Sequence, residues 1–71
     1  MRANTARIDF YKTITNLGID LIEARTGKTM HEIDPSIENR LEVALHYGNV
    51  KELRELHSII EGMYDAVKRK Y

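Results

Sequence analysis

The chain has no cysteine and no tryptophan, and a single proline among 71 residues. Without cysteine there is no disulfide framework, no thiolate metal site and no cysteine nucleophile. No apolar run approaches the ~20 residues needed to cross a bilayer. The first residues interleave Arg2, Asn4, Thr5, Arg7 and Asp9, so no apolar secretory segment is read there. Charge of one sign is also missing, because eleven Lys and Arg balance eleven Asp and Glu. That balance gives no general basic footprint for nucleic acid. With 42% apolar residues it also excludes a disordered chain. A glycine-rich phosphate loop is absent. Gly27-Lys28-Thr29 is only the tail of that pattern, with no upstream glycine and no preceding strand. Together these absences predict one soluble, cytoplasmic domain without a cofactor, a membrane segment or an enzymatic constellation.

What is present is helical spacing almost throughout. Phe10, Ile14, Leu17, Leu21 and Ala24 recur at intervals of 4, 3, 4 and 3, which places them on one helix face. Tyr11 and Ile22 widen that face, and Ile8 and Ile19 flank it. Asn4 or Thr5 can cap the start, and Gly27 suits the stop. A first helix is therefore expected at residues 5–26. Residues 27–34 form the one linker, although Thr29 followed by Glu32 matches a capping box and predicts a short helical turn. Asp34-Pro35 is a strong start signal, since Asp caps and Pro at the first position loses no hydrogen bond. A second helix is expected at 35–47, with Ile37, Leu41, Ala44 and Leu45 inward and Gly48 at its end. Asn49, with Glu52 three residues on, starts a third helix at 49–70. Its stripe is Leu53, Leu56, Ile60, Met63 and Val67, extended by Val50 and Ile59. The fold class expected is an all-α, three-helix domain whose last two helices are joined by a tight Gly-Asn turn.

Chains this short bury little core, and those lacking disulfides or metals often associate. The second helix is about two-thirds as long as its neighbours, so parts of the two long apolar stripes extend past it and need cover. A second copy is the simplest cover. The expectation is a homodimer through the two long helices, with Leu17, Leu21, Leu56, Ile60, Met63 and Tyr64 divided between core and interface. Gly18 and Gly62 each cost about 1 kcal/mol in a helix interior. Thr15/Gly18 and Ser58/Gly62 therefore read either as close helix crossings or as tolerated glycines, with a break after Asn16 as a further option for the first.

Candidate chemistry is thin. Glu38, Glu42 and His46 share one helix face, as do His57 and Glu61, but a catalytic zinc site needs three ligands in a defined geometry, and a solvated charged face explains these spacings. Glu52/Glu55 and Glu61/Asp65 alternate with Lys51, Arg54 and Lys68, as ordinary surface charge does. Residues 29–47 carry a net −3 between mildly basic flanks, so Glu38 and Glu42 centre an acidic surface that suits a protein partner. Tyr11, Tyr47, Tyr64 and Tyr71 are amphipathic and suit interfaces.

The second and third helices partly resemble a helix-turn-helix over about 20 residues, with Ala44 as the small residue, Gly48 in the turn and Val43 buried nearby. DNA contacts would then fall to Lys51, Arg54, Lys68, Arg69 and Lys70. Against this, Arg54 and His57 occupy positions that should be apolar, and Glu52, Glu55, Glu61 and Asp65 repel phosphate. The same stretch resembles one ankyrin-type repeat, but a single repeat cannot bury its own face. The functional expectation is a small non-enzymatic interaction module that acts as regulator, adaptor or inhibitor of a partner protein. In size it resembles regulators carried by phages and mobile elements. A helix-turn-helix DNA-binding regulator is the alternative.

Overall fold

A computed structural model describes residues 3–70, with side chains from Thr5 onward. Four helices follow one another: α1 (Ala3–Thr26), α2 (Met30–Ile33), α3 (Pro35–Tyr47) and α4 (Val50–Lys70). No strand is present among the described residues. The three long helices lie within two residues of the expected limits, and α1 continues unbroken through Gly18. The linker turn is α2, whose capping box closes as its sequence predicts. Thr29 Oγ1 accepts from the Glu32 N–H, while the Thr29 N–H donates to Glu32 Oε1 at 2.9 Å. Asp34 then caps α3, accepting from the Ser36 N–H at 3.1 Å and the Ser36 hydroxyl at 2.6 Å.

Gly48 ends α3 in the left-handed region, at φ 63°. The Asn49 N–H donates to Ala44 O (2.9 Å) and the Gly48 N–H to Leu45 O (3.3 Å), the paired bonds of a Schellman end. Asn49 also caps α4, its side chain accepting from the Glu52 N–H at 3.1 Å. Only half of that box forms, because the Glu52 carboxylate accepts instead from Arg40 Nε on α3, at 2.8 Å.

The largest contact in the chain is α1 against α4. The two helices run the same way. Ile8 meets Gly48 just before α4, Gly18 meets Ile60 in its middle, and Arg25 stacks on Tyr64 near its end. Connecting two parallel helices requires a return path, and α3 provides it. It begins beside α2, where the Met30 N–H donates to Glu23 Oε2 at 2.6 Å, and it ends where Gly48 meets Ile8. Glu23 to Ile8 is roughly 22 Å along α1, close to the ~20 Å length of α3. The described chain is correspondingly long and thin, 41 × 18 × 15 Å.

The core is Ile19 and Ile22 from α1, Met30 from α2, Ile37, Leu41 and Ala44 from α3, and Leu53, Leu56 and Ile60 from α4. One expectation is corrected here and one open reading is decided. First, α1 does not turn its Phe10, Leu17, Leu21 and Ala24 face inward. It buries Thr15, Ile19 and Ile22 and leaves those four residues exposed. The cause is the crossing at Gly18. A Cβ on Gly18 would lie 2.5 Å from Ile60 Cγ2, so glycine is what lets Ile60 seat against the α1 backbone. Second, of the two readings open for Gly62, the tolerated glycine holds and the close crossing does not. Nothing lies within 4 Å of the position its Cβ would take, and Ser58 is exposed. Met30, read as linker, is fully buried.

Thr15 sits in the same buried arc, and its hydroxyl has no hydrogen-bond partner among the described residues. An unmet buried polar group costs about 1–3 kcal/mol. Three substitutions test this packing in urea unfolding. Gly18→Ala lowers stability, because forcing a methyl into a filled core costs ~1–3 kcal/mol and outweighs the ~1 kcal/mol gained in helix propensity. Gly62→Ala, in open space, raises stability by up to ~1 kcal/mol. Thr15→Val raises it by about 1 kcal/mol or more.

Candidate functional site

With α1 seated through Gly18, its second apolar arc is left in solvent. Phe10 is 58% exposed, Leu17 57% and Leu21 42%, with Ile14 half-buried and Ala24 exposed beside them. At 100° per residue this arc lies about 145° round the helix from the buried one. It runs straight along α1 for roughly 21 Å. Its 4-3-4-3 spacing is that of a seam for another helix. The Phe10 ring packs edge-on against Tyr11, at 5.4 Å between centroids. Beside the seam, Arg25 lies 5.7 Å from the centre of the Tyr64 ring, and Lys68 Nζ lies 5.5 Å from it. Both cations are within reach of the ring's negative face.

The residues expected to form an interface are therefore split by the structure. Leu17 and Leu21 are on the exposed seam. Leu56 and Ile60 are fully buried in the chain's own core and present no surface to a partner. Met63 and Tyr64 are half-buried, packed against that core. Phe10 belongs to the seam, and its position in the 4-3-4-3 series was the available signal. Two further exposed apolar side chains, Val43 and Tyr47, sit together on α3, and Ile59 is on α4. Tyr71 lies outside the described residues.

The acidic surface is present but partly occupied. Glu38 accepts from His31 Nδ1 at 3.2 Å, whereas Glu42 is exposed. Both border a groove between α1 and α3 floored by Ile19, Leu41 and Leu45. His46 stacks edge-on against Tyr47, and His57 lies 3.8 Å from Glu61 beside Tyr11. No three His, Cys, Asp or Glu side chains converge on a common point among the described residues.

The residues proposed for DNA do not form one surface. Lys51 and Arg54 border a shallow groove with Glu55 and Ser58, while Lys68, Arg69 and Lys70 are at the other end of α4, roughly 20 Å away. Val43, expected to be buried in a helix-turn-helix, is 48% exposed. Since α3 returns along the α1–α4 pair, α3 and α4 form a hairpin rather than the 90–120° corner of that motif. Among the described residues no helix is long and apolar enough to cross a membrane.

Comparison with protein families, with curated proteins and with solved structures finds no match to this chain.

Two carboxylates have a defined electrostatic role. The hydrogen bond from Arg40 holds the Glu52 carboxyl below the ordinary value of 4.5. Bonds from the Thr29 backbone N–H and hydroxyl do the same for Glu32. A lowered folded value stabilises the fold above the unfolded value and ceases to do so as pH falls through the folded one. Stability should therefore decline on acidification below about pH 4.5. Glu52→Gln should be less stable at neutral pH and lose less on acidification, as read by thermal melts between pH 7 and pH 3.

Proposed function

We propose that the chain is a non-enzymatic helical interaction module, acting as a homodimer that regulates, links or inhibits a partner protein. The outer seam of α1 is its docking face. One observation carries this reading. Phe10, Leu17 and Leu21 stand exposed in a single helical row, although burying such a side chain is worth ~1.5–3 kcal/mol. Helix-in-groove and helix-on-helix recognition use rows of this kind, with anchors three, four and seven residues apart. The exposed Glu42 and the Val43/Tyr47 pair give α3 a second surface, next to the acidic groove, on which a partner protein can rest.

The DNA-binding alternative keeps Lys51, Arg54 and the basic end of α4, which can touch phosphate. Zero net charge and the hairpin geometry of α3 and α4 count against it.

The test pairs the wild type with a Leu17→Glu, Leu21→Glu variant. Both positions are exposed, so the variant should keep its helical circular-dichroism spectrum. Wild type immobilised as bait should retain a specific protein from host lysate, and the variant should not. In parallel, duplex binding is measured between ~50 and 200 mM salt, where phosphate-driven affinity falls steeply. No salt-dependent duplex binding is expected. If the eluate holds only nucleic acid, and Lys51→Ala with Arg54→Ala weakens its retention, the DNA-binding reading replaces this one.

A further inference from the structure

The charges beside the α1 seam carry information about what covers it. In heptad terms Ile14 and Leu21 occupy a positions, and Phe10, Leu17 and Ala24 occupy d positions. The g positions on one side are then Ala6, Thr13 and Asp20. The e positions on the other are Tyr11, Gly18 and Arg25. Asp20 and Arg25 are both exposed, and neither forms an ion pair among the described residues. They cannot pair with each other within α1, because helical neighbours are three or four residues apart and these are five apart. Five is the spacing at which a g residue of one helix meets an e residue of a second helix lying parallel and in register with it.

We propose that the occupant of the seam is a second copy of this chain, its α1 packed parallel and in register. Asp20 of each copy then meets Arg25 of the other, twice by the two-fold symmetry. This inference rests on the interaction-face reading above and adds the occupant, its direction and the pair that fixes them; with the seam taken by the second copy, the partner protein of that reading is left the Glu42, Val43 and Tyr47 surface of α3 on the assembled dimer. The direction follows from the same two residues. An antiparallel pairing sets g against g and e against e. Asp20 would then face Ala6, Thr13 or another Asp20, and Arg25 would face Tyr11, Gly18 or another Arg25. No opposite charges meet in that arrangement. In the parallel one, Asp20 also approaches Lys68, held with Arg25 over Tyr64 on the e side of the seam. Arg7, at the preceding a position, and Gly27, just past the end of α1, bound the seam at two heptads. So short a seam covers less than the ~800 Å² per partner of a standard interface, so the dimer should form in the micromolar range.

The experiment uses sedimentation equilibrium and charge exchange, with helicity monitored for every variant. Wild type should be dimeric at about 200 µM and dissociate on dilution. Asp20→Arg and Arg25→Asp, both surface changes, should each weaken self-association about tenfold or more. Mixing these two variants should yield a heterodimer, since each supplies the charge that the other lacks. Ala24→Cys reports direction: in the parallel register it meets its own copy and should form a disulfide-linked dimer under mild oxidant. A dimeric wild type in which Ala24→Cys does not crosslink and the mixture gains nothing overturns the parallel seam, while leaving the docking-face reading to the Leu17→Glu, Leu21→Glu test. A wild type that stays monomeric at about 200 µM overturns the second copy as occupant. The docking-face reading itself fails if that double variant retains whatever the wild type binds, or if the wild type retains only nucleic acid.

Discussion

The approach of Ile60 to the backbone of α1 at Gly18 is the contact on which the rest of the molecule depends. No side chain other than hydrogen leaves room for the Ile60 methyl there, so the crossing fixes both the distance and the rotation of α1 against α4. Because the two helices are parallel, the chain must travel back along them before α4 can begin. The capped turn α2 and the 13-residue α3 make that return, and their lengths match the distance to be covered. Two ties hold the path: Glu23 accepts from the Met30 N–H where α1 gives way to α2, and Arg40, midway along α3, donates to Glu52 in the first turn of α4.

The rotation set by Gly18 divides the apolar residues of α1 between two arcs. It gives the inner arc of α1 to Thr15, Ile19 and Ile22 and turns Phe10, Leu17 and Leu21 outward. On the proposed reading the two apolar arcs serve two partners. One is the chain's own α4 and α3, and the other is a helix outside the described fold. The Asp20 and Arg25 that flank the outer arc are charges of the sort that select a helical partner and its direction.

Much of the fold was legible because it depends on local chemistry. Thr29 with Glu32, Asp34-Pro35 and Gly48-Asn49 each satisfy backbone groups within a few residues of themselves, so helix limits could be read to within two residues. α4 was legible too, since its apolar residues form one arc and leave one possible inner face. α1 was not. Its 4-3-4-3 row is the more regular of two apolar arcs, and regularity does not say which arc meets the core. Met30 was passed over because a single methionine in a four-residue turn has no period. The Glu23 and Arg40 ties join elements seven and twelve residues apart, beyond the reach of any local pattern.

The sequence by itself determined that this protein is helical, where its helices start and stop, and which side of α4 is buried, because capping and periodicity act over one or two turns. Only the tertiary structure decided that α1 lies parallel to α4, that Leu56 and Ile60 belong wholly to the core, and that Phe10, Leu17 and Leu21 remain outside. Those outcomes depend on a steric fit between residues more than forty positions apart, where a missing Cβ at Gly18 admits the Ile60 side chain.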